Sequence, residues 1–386
     1  MSKQTISPAY DRIIKNIQKK LTGKIQIPFT LTMWDGSCYK FGEGSEQFRI
    51  VAKNRKAMAV LISLDELRIG EAYMNGDIDF EGDMPSLISL RNMLVDVHPL
   101  LRLWRFIIPV LTDTLKRNRH NIATHYDYDS NFYLSFMDSS RCYSQAVFSS
   151  DDEPLECAQA RKFDFAIESC RLRPGDNVLD VGGGWGSFTE YAGKKGINVT
   201  SLTISTESEK FITELIKEKN LPCRVFNVDF LAYRSDVKYD AIVVLGVMEH
   251  LPDYPRVIRQ FNRFLKPGGR VYLDASATDR KFESPVFITR YIFPSGHSFF
   301  CLHDFLTAVS RENFEAISVI NDRKNYLLTC KAWAQKLDRS REEITKRWGE
   351  HLYRMFRIYL WGSVYGFHSH GLVAYRVVLE KYGGND

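Results

Sequence analysis

Long apolar runs are missing from the sequence. No segment approaches the roughly 20 consecutive apolar residues that a membrane-spanning helix needs. The N-terminal segment MSKQTISPAYDRIIKNIQKK also lacks the apolar core of a secretory signal peptide. We therefore expect a cytoplasmic protein.

Cysteines are scattered and odd in number. The seven cysteines form no C-x-x-C pair, so neither a disulfide framework nor a zinc site is indicated, and no metal ion is expected. Reduced cysteine thiols are typical of the cytoplasm and agree with that expectation.

The sequence has little net charge. Lys and Arg exceed Asp and Glu by 5, a mild excess that suits an anionic membrane surface or a nucleic acid without choosing between them. Because no basic stripe with interleaved aromatic residues marks a nucleic-acid groove, no nucleic-acid partner is expected.

The length of 386 residues indicates about two folding units. Residues 1–115 combine a helical start with short strand-like segments, which predicts a small α+β domain that contacts lipid or a second copy of the chain. Within residues 99–120, apolar side chains such as Trp104 precede the basic pair Lys116 and Arg117. This amphipathic stretch is either an interdomain helix with a solvated linker or a membrane-surface contact.

Residues 116–386 form the second predicted domain. From about residue 160, apolar strands alternate with helices, a pattern typical of a mostly parallel sheet with helices on both faces. The predicted strands are NVLDVGG, INVTSLTIS, CRVFNVDF, YDAIVVLGVMEH and GRVYLDAS. Ligands of such sheets bind beyond the carboxyl ends of the strands.

A glycine-rich turn, DVGGGWG, follows the first of these strands. Glycines at this point allow a tight turn and a close approach of the backbone to a ligand. Asp180 before the glycines disfavours a dinucleotide, because its carboxylate would repel a pyrophosphate, whereas it suits the ammonium of a methionine moiety. The alternative is that the glycines only make a turn and Asp229, further along, only caps a helix.

Several further segments resemble the cyclopropane-fatty-acyl-phospholipid synthase family, which includes the mycolic acid cyclopropane synthases. They are LRIGEAYMNGDID, HYD, LECAQARK, VLDVGGGWGS, LTIS, GVMEHLPDYP, YIFPSG, YRMFRIYL and AYRVVLEK. The resemblance runs from about residue 60 to the C-terminus. It implies an α/β fold with the Rossmann-like sheet of class I S-adenosylmethionine-dependent methyltransferases, and transfer of a methyl group to the double bond of a membrane phospholipid or carrier-bound acyl chain.

The resemblance also implies a cofactor site for S-adenosylmethionine. Gln159 is expected to support one wall, whereas Ser208 stands where the family often has Gln and weakens one contact. The residues expected to hold the cofactor are Tyr143, Ser144, Asp180, Gly182, Gly184, Thr203, Asp229 and Phe230.

The catalytic residues depart from the family pattern. Many members hold a bicarbonate ion as the base, using a Cys after Tyr-Ser, the Glu of Met-Glu-His, a His on the strand after the Lys-Pro turn and a late Tyr. This sequence has Gln145, Glu249, Asp274 and Tyr326 at those positions. A bicarbonate ion beside both Glu249 and Asp274 would meet two like charges, which disfavours its binding.

Three consequences of this departure are open. Asp274 or Glu249 takes the base role, or the cation is resolved to a methylated or methylene product, or Asp274 only bonds a loop and catalysis is weakened. Aromatic faces and carboxylates both suit a pocket in which a carbocation forms.

Residues 279–305 are expected to form an insert that supplies the acyl pocket. Tyr291 and Phe293 of this insert, together with His125, are the predicted substrate contacts, although single aromatic or His side chains are more often core residues.

The leading prediction is an S-adenosylmethionine-dependent C-methyltransferase that acts on an unsaturated phospholipid acyl chain, as a cyclopropane synthase or a relative making a branched product. It is expected to lie peripherally on the inner face of a membrane, with a homodimer as a further expectation. The alternatives are a non-catalytic or weakly active homologue that binds S-adenosylmethionine and lipid, and, with less support, a methyltransferase of RNA or small molecules.

Overall fold

The computed structural model describes residues 8–21, 27–93, 130–281, 284–293 and 298–382. The chain divides into two compact units. One unit contains Met1–Leu101 and Arg341–Tyr365, and the other contains Arg102–Ser340 and Gly366–Asp386. The sequence boundary near residue 115 stays a prediction.

The first unit is built on a small mixed sheet. Its strands pair in the order β2-β1-β3-β4, with β1 and β3 parallel and the other two pairs antiparallel. Its elements are α1 (Pro8–Leu21), β1 (Phe29–Thr32), β2 (Cys38–Phe41), β3 (Phe48–Ala52), α2 (Arg55–Ser63), α3 (Glu66–Met74), β4 (Ile78–Gly82), α4 (Met84–Ser89) and a 3-10 turn (Leu90–Met93).

Ring stacking and helix caps stabilise this unit. Phe29 stacks between Phe41 and Phe48, with ring centroids 4.7 and 5.0 Å away. The side chains of Asn54 and Asp65 accept backbone hydrogen bonds at the starts of α2 and α3, which satisfies donors that a helix end leaves unpaired.

The second unit contains the site. In chain order, its first elements are α5 (Ser130–Phe136), α6 (Leu155–Ser169), β5 (Asn177–Val181), α7 (Ser187–Lys194), β6 (Asn198–Thr203), α8 (Thr206–Glu218), β7 (Arg224–Asn227) and β8 (Tyr239–Leu245). A 3-10 turn (Met248–His250), α9 (Tyr254–Phe264), β9 (Leu265–Ala277), a π-helical turn (Ile288–Ile292), α10 (Leu302–Val309), β10 (Phe314–Asn321) and α11 (Arg323–Arg339) follow.

Two helices and one strand complete the chain. They are α12 (Arg341–Trp348), α13 (Glu350–His368) and β11 (Val373–Lys381). The buried Arg354 of α13 donates to the carbonyls of Tyr73 and Ile78 at 3.0 and 3.2 Å. These bonds fasten the first part of α13 to the small sheet.

The large sheet has seven strands in the order β10-β11-β9-β8-β5-β6-β7. Strands β7, β6, β5, β8 and β9 are parallel, and β11 and β10 are added antiparallel at one edge. The predicted α/β fold with a class I methyltransferase sheet is confirmed. The two antiparallel strands were not among the predicted ones.

Some predictions fall on residues that the structure does not describe. His125 lies outside the described residues, as do the whole amphipathic stretch at 99–120 and residues 282–283 and 294–297 of the insert. Among the described helices, none has both the length and the apolar character that crossing a bilayer requires.

Candidate active site

The glycine turn connects β5 to α7, and two of its glycines have backbone angles that favour glycine. Gly182 and Gly184 have φ of +83° and +52°, the left-handed region that glycine adopts most easily. A Cβ atom on Gly182 would lie 2.4 Å from Cγ2 of Val247. A Cβ atom on Gly184 would have no heavy atom closer than the Gly182 carbonyl oxygen at 4.0 Å. The backbone is therefore packed beneath Gly182 and open at Gly184.

Asp180 lies at the carboxyl end of β5, immediately before this turn. It is 2% exposed, and its Oδ2 accepts hydrogen bonds from Ser201 at 3.0 Å and Thr189 at 3.2 Å. Burial raises the pKa of Asp180 to about 6, although both hydroxyls favour its charged form. The carboxylate braces the turn from β6 and α7, while its contact with a cofactor ammonium stays a prediction.

The next two strands end beside the turn. Thr203 is the last residue of β6, and Asp229 follows β7, where its Oδ1 accepts from the Leu231 amide at 2.7 Å. The Phe230 ring is buried against Phe261 at 5.6 Å. Thr203 and Asp229 thus lie at the predicted sheet edge, whereas the ring of Phe230 packs in the core, and its role toward the cofactor stays a prediction.

Aromatic side chains border the segment that contains Tyr143 and Ser144. The Tyr143 ring lies 4.9 Å from that of Trp333 on α11, and Tyr326 lies edge-on to Trp333 at 6.4 Å and stacks on Phe367 at 4.7 Å. The Ala146 amide donates to Thr329 Oγ1 at 2.9 Å, which fixes the segment along α11. Two predicted residues, Tyr143 and Tyr326, therefore share one aromatic wall.

Glu249 has one occupied and one unoccupied carboxylate oxygen. Its Oε1 accepts from the amide and the hydroxyl of Ser276 at 2.7 and 2.8 Å. Its Oε2 is buried and has no hydrogen-bond partner among the described residues. Burial and, to a smaller extent, the charge of Asp274 raise the pKa of Glu249 to about 7, against the hydrogen bonds from Ser276. A buried carboxylate held at one oxygen and open at the other is suited to accept a proton near neutral pH.

Asp274 is fully buried in β9. Its Oδ1 accepts from the Gly246 amide at 2.9 Å, and its Oδ2 has no hydrogen-bond partner among the described residues. Burial raises the pKa of Asp274 to about 6, against the opposing effect of Lys162. Asp274 therefore lies close enough to Glu249 for its charge to raise the pKa of Glu249.

The side-chain amide of Gln145 contacts a buried ion pair formed by Asp322 and Arg376. Its Nε2 donates to Asp322 Oδ2 at 2.8 Å, and Arg376 donates to Asp322 Oδ1 at 3.0 Å. Its Oε1 is buried with no hydrogen-bond partner among the described residues. The amide thus orients toward Asp322 and leaves an acceptor oxygen available.

The sequence reasoning missed Lys162 as a site residue. This lysine lies on α6, is fully buried, and donates to Ser144 Oγ at 2.8 Å. It falls on the helix face that also carries the buried Leu155, Gln159 and Ala166, where the spacing predicts an apolar residue. A lysine at such a position was the available signal, because buried lysines are rare unless paired.

The described part of the insert reaches the Glu249 segment. Phe293 lies edge-on to His250, with ring centroids 5.8 Å apart, and Tyr291 packs against Phe287 at 5.4 Å. The amide and hydroxyl of Ser298 donate to the Glu249 carbonyl at 2.9 and 3.0 Å. Phe293 is therefore close to the base candidate, while substrate contact by either aromatic residue stays a prediction.

Two local contacts connect the glycine turn with the carboxylates. Val247, which packs beneath Gly182, lies two residues before Glu249. A Cβ atom on Gly246 would lie 2.9 Å from Cβ of Ser144. Glu249, Asp274 and Gln145 each keep a buried acceptor oxygen without a hydrogen-bond partner among the described residues, and acceptors without donors suit a sulfonium or a carbocation.

The sequence matches the family described as mycolic acid cyclopropane synthetase over residues 113–376. The chain belongs to this family. A domain family of unknown function matches residues 16–94. The cofactor prediction of S-adenosylmethionine is confirmed by family membership together with the methyltransferase fold.

Individual relatives agree with this membership. A probable fatty acid methyltransferase of Pseudomonas putida is 26% identical over 92% of this chain and 93% of its own length. A sphingolipid C9-methyltransferase of Candida albicans is 26% identical over 81% of this chain and 65% of its own length. A solved mycolic acid cyclopropane synthase complexed with SAH and CTAB is 26% identical, with a TM-score of 0.63, over 68% of this chain and 98% of that chain.

The coarser functional prediction is also confirmed. The chain is an S-adenosylmethionine-dependent methyltransferase of a family that acts on lipids and fatty acyl chains.

The raised pKa of Glu249 predicts a measurable effect on stability. The folded chain holds this proton up to about pH 7, above the ordinary pKa of 4.5, so the free energy of unfolding falls as the pH rises through that range. Glutamine at position 249 does not ionise and escapes this loss. Between about pH 5 and pH 8, we expect the free energy of unfolding of Glu249→Gln to increase relative to that of the parent by on the order of 3 kcal/mol. The Tm of the variant should rise relative to the parent over the same range.

Thermal unfolding measured across this pH range tests the expectation. The exposed Glu207, which pairs with Lys210 at 3.0 Å, provides a control, because Glu207→Gln should keep a constant Tm difference from the parent. A constant difference for Glu249→Gln as well would contradict a raised pKa at this position.

Proposed function

We propose that this enzyme transfers a methyl group from S-adenosylmethionine to the double bond of an unsaturated fatty acyl chain, with Glu249 as the proton acceptor. The observation that carries the proposal is the arrangement of Glu249. Its Oε1 is fixed by Ser276, and its buried Oε2 has no partner among the described residues.

S-adenosylmethionine, when bound, supplies an electrophilic methyl on a sulfonium. The acyl double bond uses its π electrons to form the new carbon–carbon bond as the carbon–sulfur bond breaks, which leaves a carbocation on the acyl chain. Asp274 and Glu249 stabilise this cation by their charge, and the aromatic wall formed by Tyr143, Tyr326 and the buried Trp333 excludes water from it. Glu249 Oε2 then takes one proton, and the electrons of that carbon–hydrogen bond quench the cation.

The product depends on which carbon–carbon bond forms as a proton leaves the transferred methyl. A cyclopropane ring closes when the electrons of that carbon–hydrogen bond join the methyl carbon to the cationic carbon. A 1,2-hydride shift that first moves the cation onto the carbon bearing the new methyl allows the same proton loss to form a methylene branch instead. A protein carboxylate as base makes an external bicarbonate unnecessary, since Glu249 and Asp274 already supply negative charge. We favour the cyclopropane or methylene product for this reason.

An acyl chain of a phospholipid is the proposed substrate, with the enzyme on the inner face of a membrane and as a homodimer. The mild positive charge of the chain favours an anionic surface. A sphingolipid is the second candidate substrate, because one relative of similar identity is a sphingolipid C9-methyltransferase.

Lipid mass spectrometry tests the proposal. The purified enzyme is incubated with S-adenosylmethionine and vesicles that contain either an unsaturated phospholipid or an unsaturated sphingolipid. We expect a gain of one CH₂ in the phospholipid acyl chain, and proton NMR of the product separates a ring from an exocyclic methylene. Binding of S-adenosylmethionine with no mass gain on either lipid would support the non-catalytic alternative and overturn the proposal, and a gain on the sphingolipid alone would replace the substrate.

A further inference from the structure

Lys162 is a fully buried charge that the proposed reaction does not use directly. Its side chain lies on α6 and is 0% exposed. Its Nζ donates to Cys142 Sγ and to Ser144 Oγ, each at 2.8 Å. A lysine ammonium has three donors and a high cost of leaving water, so a buried one needs a counter-charge.

Asp274 provides that counter-charge. Lys162 Nζ lies 4.0 Å from Asp274 Oδ2, and neither side chain is more than 1% exposed. The Gly246 amide occupies the other oxygen of Asp274. Arg376, which lies opposite Asp274 on β11, is paired with Asp322. Lys162 is therefore the cation that faces Oδ2 of Asp274.

This pairing changes what the two carboxylates can do together. Two buried carboxylates beside each other ordinarily share one proton, because their like charges repel. A fixed ammonium next to one of them removes part of that cost. The ammonium beside Asp274 makes a second ionised carboxylate possible.

We infer that Lys162 is a positioning residue, which keeps Asp274 ionised beside Glu249 so that two negative charges face the carbocation of the reaction. This inference rests on the proposed function and specifies how its site is charged. Ser144 and Cys142 hold the ammonium in place, and Gly246 holds the carboxylate.

Other charged and titratable groups surround the pair. Asp322 precedes α11, Arg376 lies on β11 opposite Asp274, and Tyr272 lies two residues before it on β9. Tyr254 of α9 lies near Glu249, and burial lowers the pKa of His250 to about 4, so this imidazole stays neutral. The charge of Asp322 raises the pKa of Asp274, and the ammonium of Lys162 lowers it by a larger effect, so Lys162 is the cation that favours ionised Asp274.

The effect of Lys162→Met on the pH dependence of kcat has a definite sign. Without the ammonium, Asp274 keeps its proton across the working pH range. Glu249 then loses a negative neighbour, so the acid limb of the kcat profile moves to lower pH, by about one unit. Because one negative charge no longer faces the cation, kcat at the optimum falls about tenfold.

Three companion variants make the test specific. Lys162→Arg keeps the charge and should keep the acid limb of the parent. Asp274→Asn should move the limb as far as Lys162→Met does, and the double variant should move it no further than Asp274→Asn alone. The inference would be refuted if the acid limb of the kcat profile in Lys162→Met stayed at the pH of the parent, or if the double variant shifted it further than Asp274→Asn alone.

An infrared measurement separates this inference from the proposed function, because it needs no substrate. At about pH 7.5, Lys162→Met should gain a protonated-carboxyl band that the Asp274→Asn change removes. No gained band refutes the role of Lys162 even if the enzyme methylates lipids. If Lys162→Met gains the band but the enzyme methylates neither lipid, the charge role of Lys162 is supported and only the proposed function is overturned. If the acid limb of the kcat profile instead moves to higher pH in Lys162→Met, the charge role is also supported, and the base is then Asp274.

Folding of the variants is part of the test. Lys162→Met leaves a buried carboxyl without its cation, whereas the double variant with Asp274→Asn leaves neither charge unpaired. We expect the double variant to unfold at a higher temperature than Lys162→Met. A double variant that is no more stable than the single one would show that the two side chains are not paired.

Discussion

Replacing Glu249 with Gln is expected to lower kcat by about 10² to 10⁴-fold, the usual contribution of a positioned base. The glutamine carbonyl can still accept both hydrogen bonds of Ser276, so the local backbone should be preserved. Its amide nitrogen replaces the free Oε2, and an amide cannot take a proton from a carbocation at neutral pH. Binding of S-adenosylmethionine, measured by calorimetry, should be nearly unchanged.

The control for this prediction is Glu207→Gln on α8, which makes the same chemical change at an exposed position. It should have the parental kcat and cofactor affinity. If Glu249→Gln keeps near-parental turnover, another residue takes the proton, and Asp274 becomes the first candidate.

Replacing Gly184 with Ala is expected to weaken binding of S-adenosylmethionine about tenfold or more, which corresponds to at least about 1.4 kcal/mol. The methyl group would meet no protein atom closer than 4.0 Å, so it would project into the space that a ligand must use to approach the turn. The left-handed backbone adds a strain of about 1 to 2 kcal/mol. Calorimetry of cofactor binding measures the first effect and thermal unfolding the second.

Gly268 offers a matched control, since it has φ of +73° and a Cβ atom there would also meet nothing within 4 Å. Gly268→Ala should cost similar stability and leave cofactor affinity unchanged. Equal loss of affinity in both variants would mean that backbone strain alone is responsible, and parental affinity in Gly184→Ala would move the cofactor away from this turn.

The sequence was sufficient to predict the parallel core of the large sheet and the position of the glycine turn. Apolar segments such as NVLDV and YDAIVVL are short, bounded by turn residues and separated by helical patterns, so their pairing follows from chain connectivity. Glu249 could be predicted as well, because its segment GVMEHLPDYP resembles that of the family.

Other features depend on contacts between distant segments. Ser276 reaches Glu249 because β9 lies beside β8, and no local pattern of residues reports that contact. Phe230 follows β7 as predicted, yet its ring packs in the core because Phe261 and Phe264 lie beneath it. The residue type was evident from the sequence, whereas the direction of its side chain was not.

Lys162 shows the clearest limit of sequence reasoning. Residue type predicts an exposed lysine, and helix periodicity predicts a buried position, so the two rules conflict at this residue. The conflict is resolved only when Asp274 and Ser144, contributed by other parts of the chain, are placed around the ammonium. Conflicts of this kind are themselves a useful signal of a buried ion pair.

Ser298 donates twice to the backbone of the residue that we assign as the base. Any engineered change in the acyl-chain preference of this enzyme that shifts the polypeptide at Ser298 will also shift the carboxylate relative to the reacting carbon. Redesign for longer or shorter chains should therefore vary side chains at Tyr291 and Phe293 and preserve the length of the segment that leads to Ser298.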